Sequence, residues 1–540
     1  MNNIKHNLML RTLKNIFLAF TIVLFAQSCE SNLDLQPEDD RLTSGVAFDE
    51  PGAYKSFLAK LYAGISVSGQ EGPAGNPDLT GLDEGFSNYL RLYWSMQELT
   101  TDEALVGWND GTIKDLHAQT WTSGNEFIRT MYSRIFYQVA LTNEFLRQTS
   151  DSKLDARGVD ASLRSEIQNY RAEARFMRAL TYWHAMDLFG NVPFVTEEDP
   201  IGAFLPEQIK RADLFNYVES ELLAIENEIV AARQNDYGRA DQAAVWMLLS
   251  KIYLNAEVYT GTPRYADVIT YTTKVIGAGY TISTNPYYHL FLADNDTNGA
   301  QSEVIFPITF DGLYTQSFGG MTFLIHAAVG GSMKPADYGI NGGWAGLRTT
   351  SALVEQFPGE ANSADGRALF YTDGQSKEIN NTSTFTEGYA VEKFRNVDVN
   401  GAPGSDSTGD FPDTDFPMFR LADAYLMYAE AFIRGGGGTA ADAVTYINRL
   451  RTRAYGNTTG NINQADLTLD FILSERSREL FWEAHRRTDL IRFGQFSDQG
   501  IWPWKRNVPQ GATTDAFRDL MPLPATDLGI NTNLEQNQGY

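Results

Sequence analysis

The chain is poor in the residues that build most catalytic centres. It has a single cysteine, Cys29, and six histidines in 540 residues. One thiol allows no disulfide framework and no thiolate metal site, so stability in an oxidising compartment must come from the core alone. The histidines (His6, His117, His184, His289, His326 and His485) show no metal-ligand spacing. HExxH, GxSxG and Walker-type glycine loops are missing too. Beyond residue 26 no apolar run is long enough to cross a bilayer. Basic charge is scarce: 43 Lys and Arg face 68 Asp and Glu, a net charge of -25. Such a surface repels nucleic acid and anionic lipid. It suits a neutral ligand, or a partner reached by shape.

What is present begins with an export signal. Lys5, Arg11 and Lys14 form a cationic start, and an apolar stretch runs from Ile16 to Ala26. Gln27-Ser28-Cys29 then places a small residue before the lone Cys, the layout of a lipobox. Residues 1–28 are expected to be cleaved, leaving Cys29 diacylated as the new N-terminus. Two acyl chains anchor stably, because each buried methylene contributes ~0.8 kcal/mol. Cleavage removes three basic residues and no acid, so the mature net charge moves from -25 to -28. Residues 29–45 are polar and acidic and read as a tether. Residues 46–540 read as one domain. The whole chain's 26 Tyr, 32 Phe and 9 Trp are more rings than a core needs, so some are expected to face a ligand.

Periodicity predicts a mainly α fold. Ala161 to Phe189 carries apolar residues three to five apart (Ile167, Tyr170, Ala174, Met177, Tyr182, Met186) and ends at Gly190 with Pro193 beyond. Further helices are expected at 51–65, 127–145, 212–232, 241–259, 266–276, 418–434, 440–453 and 467–493. The scaffold thus occupies about 46–66, 125–278 and 418–494. Loop-rich segments at about 67–124 and 280–416 are inserted between its parts. Two helical pairs, around Tyr253-Leu-Asn-Ala256 and Tyr425-Leu-Met-Tyr428, place small residues beside aromatics. Pattern alone leaves tetratricopeptide-type hairpins and an unspecialised helical array both open.

Several blocks resemble one family, the SusD-like (SusD/RagB) outer-membrane glycan-binding lipoproteins. They are Arg171-Ala-Glu-Ala-Arg175 with Gly190-Asn-Val-Pro193, Pro417-Met-Phe-Arg420 with Tyr428-Ala-Glu430, Glu475 to Glu483 with Arg486-Arg487-Thr-Asp489, and Met521-Pro-Leu-Pro524 with Gln536 to Tyr540. The resemblance covers essentially the whole mature chain. It implies four tetratricopeptide-like hairpins carrying an irregular ligand-binding half. It also implies a SusC-like TonB-dependent transporter as partner, a lipid anchor in the outer membrane and a cell-surface location. The likeness is greatest to the starch-binding founder of the family and extends into the variable half, through Thr260-Gly-Thr, Asp311-Gly312 and Asn341-Gly-Gly-Trp344. The implied ligand is a starch-like α-glucan oligosaccharide, bound without being cut and without a required cofactor.

The chemistry of such a ligand fits the residue types. A sugar ring has an apolar C–H face and a hydroxyl edge, and aromatic side chains offer flat platforms with little rotamer entropy to lose. By resemblance the platforms are Trp108, Phe318 and Trp344. The family carries Tyr where Phe318 stands, so one hydroxyl is missing there. Asp83 and Arg91 map to the partners of the sugar hydroxyls, and charged groups make the stronger hydrogen bonds. Asn109 and Asp110 are candidates from proximity. The competing readings are core burial for the rings and a mutual Asp83–Arg91 salt bridge.

Two other chemistries have partial signals. Asp294, Asp296 and Asn298 repeat the opening of a calcium loop, followed by Gly299, but Ile305 stands where the bidentate Glu belongs. A glycosidase needs two carboxylates flanking a cleft. Glu475, Glu479 and Glu483 lie four apart, yet Arg478, Arg486 and Arg487 beside them point to a charge network instead.

Overall fold

A computed structural model of the chain describes residues 47–48, 50–75, 77–79 and 83–540. It parts into two units, Met1–Ala53 and Tyr54–Tyr540. The export signal, Cys29 and the tether lie outside the described residues. The first unit contributes a turn in which the Ala53 amide donates to the Glu50 carbonyl at 3.0 Å.

The long helix Ala161–Phe189 starts and stops where its pattern predicts. Asp160 caps it by accepting from the Ser162 and Leu163 amides, and Gly190 ends it at φ 74°. A positive φ there suits a residue without Cβ. The six periodic residues all face inward. This helix packs on Glu126–Gln148 before it and Arg211–Ile225 after it. Gln242–Leu254 packs on Tyr265–Gly277, which packs on Leu421–Ile433, which packs on Ala440–Tyr455. The fold is mainly helical, and helices distant in sequence as well as neighbouring ones pack side by side. Among the described residues no helix is long and apolar enough to cross a membrane.

The structure corrects several expected spans. The helix expected at 212–232 stops at Ile225, and that expected at 241–259 breaks at Asn255. Residues 418–434 begin as the strand Phe416–Arg420, antiparallel to Val304–Ile308, before the helix Leu421–Ile433. Residues 467–493 are two helices, Leu469–Leu480 and Arg486–Arg492. Trp482 and Ala484 take φ 63° and 62° at the break. That kink turns the Trp482 carbonyl to accept from Trp94 Nε1 at 2.9 Å, with the two indoles edge to face at 5.3 Å. The Gly-rich segments also hold unforeseen helices, Tyr89–Glu98 and Gly320–Ala328.

Glu475, Glu479 and Glu483 are fully buried. Glu475 pairs with Arg367, Arg451 and Arg478, Glu479 with Arg367, Arg420 and Arg453, and Glu483 with Lys393 and Arg420. The network expected from sequence exists, but Arg486 and Arg487 turn away to Asp102 and Asp187. The Arg453, Arg420 and Arg367 guanidiniums hold the Glu479 carboxyl down at about 2 despite its burial. Carboxylates locked in this way have no free edge with which to protonate a leaving group.

Candidate functional site

Trp108 and Trp344 are 236 positions apart, and a two-residue ladder joins them. Leu105–Val106 pairs antiparallel with Leu347–Arg348, and the Gly107 amide donates to the Gly346 carbonyl at 2.9 Å. Just beyond the ladder, Trp108 Nε1 donates to the Trp344 carbonyl at 3.0 Å. The two indole centroids are 6.4 Å apart with planes at 49°. Two tilted flat rings side by side make the start of a curved shelf. Gly346 permits the arrangement, since a Cβ there would sit 2.2 Å from the Trp108 ring. Both indoles are half-buried, resting on the core without entering it.

Phe318 reaches the same place from a different segment. It is 38% exposed and leans on Phe411, centroids 5.4 Å apart. Its turn is fixed by Asn88, which is fully buried. The Asn88 side chain accepts from the Gly320 amide at 2.9 Å and donates to Ser317 Oγ at 3.3 Å and to the Ser66 carbonyl at 2.8 Å. The same oxygen accepts from the Arg91 amide at 3.0 Å, capping the helix Tyr89–Glu98. One asparagine therefore sets Phe318 and Arg91 relative to each other. Gly319 packs against it so tightly that a Cβ would lie 2.1 Å from Asn88 Cβ.

Arg91 is buried, with its guanidinium between the Phe86 and Phe323 rings at 4.6 and 4.3 Å. Burial pulls it down to about 10, opposed by the Asp83 and Asp110 carboxylates. It makes no ion pair with Asp83 among the described residues. A positive charge held flat by two rings, with its donors unspent on carboxylates, is suited to hydroxyl oxygens. Asp83 is exposed and accepts from the Phe86 amide at 3.1 Å, leaving its second oxygen open.

These residues meet in one open depression of about 390 Å³, lined by Asp83, Glu84, Phe86, Arg91, Trp108, Asp110, Phe318 and Trp344, with Pro73, Ala74 and Gly85. Five of the six residues singled out for glycan binding are thus brought together. Asn109 is exposed beside the depression and does not line it; its neighbour Asp110 does. Sequence reasoning missed Phe86 and Glu84. Glu84 is buried with neither carboxyl oxygen hydrogen-bonded, and burial, reinforced by Asp83, pushes its carboxyl up. It also missed Phe323, because the Gly-rich stretch around it gave no helical period.

The 294–298 turn is bonded to itself. Asp294 accepts from Asn298 Nδ2 at 3.0 Å and from the Val399 amide at 3.2 Å, while Asn298 also accepts from the Ala300 amide at 2.9 Å. Asp296 accepts from Thr297 Oγ1 at 3.2 Å. Among the described residues no group of three or more His, Cys, Asp or Glu is placed to hold a metal ion.

Comparison with known proteins gives this site its context. The chain is 35% identical to the starch-binding protein SusD of Bacteroides thetaiotaomicron, over 98% of this chain and 99% of that one. The chain belongs to the SusD family. The family model itself matches residues 359–540. A SusD-like protein of Bacteroides ovatus is 24% identical over 93% of the chain. Among solved structures, surface glycan-binding protein A from Bacteroides fluxus superposes with a TM-score of 0.69 at 20% identity, covering 91% of this chain and all but a hundredth of that one (99%). The Bacteroides thetaiotaomicron protein of that name, in complex with laminarihexaose, gives 0.68 at 18% identity, covering 90% and 98%. Among these relatives one is a starch-binding protein and two are surface glycan-binding proteins.

Proposed function

We propose that this chain is a lipid-anchored protein of the outer-membrane surface that captures starch-like α-glucan oligosaccharides and passes them, uncut, to a SusC-like TonB-dependent transporter. The observation that carries the glycan reading is the shelf. Trp108, Trp344 and Phe318 from separate segments line one open depression beside Arg91, Asp83 and Asp110. An α-glucan is naturally curved, and tilted rings can follow several of its glucose units. Arg91 donates to hydroxyls, while Asp83 and Asp110 accept from them. The starch preference is supported by the 35% identical relative and by the resemblance of the variable half. The lipobox at Cys29 supports the anchor, and the transporter rests on the family resemblance.

Phe318 keeps the stacking surface of the family Tyr but not its hydroxyl, so a hydrogen bond of about 0.5–1.5 kcal/mol is absent at that end. Binding is expected to be weak per site, because sugars give up good hydration for their new contacts. The reading needs no cofactor. A calcium ion at Asp294, Asp296 and Asn298 would have to displace the bonds that close that turn.

Calorimetry against maltoheptaose, pullulan, glycogen and laminarin tests the ligand. Heat with the α-glucans and none with laminarin is expected. The reverse would assign a different glycan. Thin-layer analysis of amylopectin after incubation should show no shorter products.

A further inference from the structure

His326 lies behind the shelf, 2% exposed, in the helix Gly320–Ala328. Its ring stacks on the Trp344 indole, centroids 4.9 Å apart and planes at 29°. Nδ1 lies 2.7 Å from the Gly342 carbonyl oxygen and Nε2 lies 3.0 Å from the Asp410 carbonyl oxygen. Carbonyl oxygens accept and cannot donate. A neutral imidazole has one N–H and one lone pair, so it can satisfy one of them and must repel the other. Two N–H groups are needed, and the imidazolium has both.

The two carbonyls belong to different loops. Gly342 is in the turn that presents Trp344. Asp410 precedes Phe411, the ring on which Phe318 leans. The same loops are tied by Asn341, whose side chain donates to the Thr408 carbonyl at 2.9 Å and to the Asp410 carboxylate at 2.7 Å. His326 therefore sits at the junction between two ends of the shelf, which neither ring reaches by its own segment.

We propose that His326 is a positioning residue for glycan binding: as an imidazolium it clasps the Gly342 and Asp410 carbonyls and so holds the Trp344 and Phe318 platforms in register. The proposal rests on the α-glucan reading above. The charged form also strengthens the stack, because a cation over an indole face is attracted by its quadrupole. The ionisable group facing the ring is the Asp410 carboxylate, which favours the charge. The turn contributes Asn341, Gly342 and Trp344, and the helix Gly320–Ala328 has no other ionisable residue. Burial holds the imidazole below its ordinary value, while the two carbonyls and Asp410 pull it back up. Charging therefore occurs on the acid side of neutrality, and glycan affinity rises as pH falls.

The test is calorimetry of maltoheptaose binding to the full chain from pH 5 to pH 8. Affinity about three- to tenfold tighter at the acid end is expected, and a flat profile in His326→Gln, whose amide donates from one end only. By linkage, maltoheptaose should then raise the His326 titration midpoint, followed by NMR of the ring protons, by about 0.5–1 unit. That measurement uses the unaltered chain, so it decides the matter if the variant does not fold. Binding that is flat with pH, or a His326 midpoint unmoved by the sugar, overturns the assignment while leaving the α-glucan reading intact. A His326→Gln profile as steep as wild type would place the dependence elsewhere, Glu84 first, and also overturns it. No binding at any pH refutes the α-glucan reading and this one with it.

Discussion

Replacing Trp108 and Trp344 together by alanine isolates the shelf from the fold that carries it. Aromatic anchors at the centre of a site typically cost 2 kcal/mol or more on truncation. The two indoles touch and share a hydrogen bond, so their losses are not independent. A combined loss of about 2–4 kcal/mol follows, which is roughly 30- to 1000-fold in affinity. Stability should fall less than for core tryptophans. A fully buried Trp→Ala change costs about 3–5 kcal/mol, and each of these rings is only partly buried. The lost Trp108 hydrogen bond adds about 1 kcal/mol, partly recovered by water at the open surface. Calorimetry with maltoheptaose and affinity electrophoresis in starch gels read the first effect, and thermal unfolding reads the second. Trp344→Phe, which keeps a flat ring, should recover part of the affinity. A folded double mutant that binds within threefold of wild type would refute the shelf outright.

Three further outcomes test the structure behind the site. Gly346→Ala adds a methyl 2.2 Å from the Trp108 ring, so glycan affinity should fall about tenfold with no polar group altered; unchanged affinity would mean Trp108 is not a platform. Arg420→Met leaves Glu303, Glu479 and Glu483 short of their shared buried partner, and should cost at least about 3–5 kcal/mol in chemical denaturation; a loss under 1 kcal/mol would contradict the network's role. Glu98 and Glu103 are buried and interact directly; burial raises Glu98 well above the carboxylate range and lifts Glu103 to about 7. Raised folded values contribute stability that is full below the unfolded carboxylate range and lost as pH rises through about 7 for Glu103. The melting temperature should therefore drop from pH 6 to pH 9, and drop less in Glu98→Gln, whose amide can donate to Glu103 at any pH. Equal slopes would show that the pair does not titrate as described.

Much of the scaffold was legible in the chain itself. The helix Ala161–Phe189 was written in its apolar spacing and its Gly190 stop, because local periodicity and capping act over a few residues. The rings at 108, 318 and 344 could be named because they sit in Gly-rich polar stretches and match a family pattern. The helices Tyr89–Glu98 and Gly320–Ala328 were not legible. The first is buried along its whole length, so no polar face marks a period, and the second opens on glycines that propensity alone would assign to a loop.

Composition, the lone Cys29 and helical spacing were enough to determine a mainly α body without thiol chemistry. Only the tertiary structure decided that Leu105–Val106 pairs with Leu347–Arg348, that Asn88 locks Phe318 to Arg91, and that the Glu475–Glu483 carboxylates are sealed against guanidiniums from distant segments. The physical reason is range. A helix is specified by neighbours three and four positions away, whereas a binding surface for a curved sugar chain is made of contacts between residues hundreds of positions apart, and no local signal encodes which of them will meet.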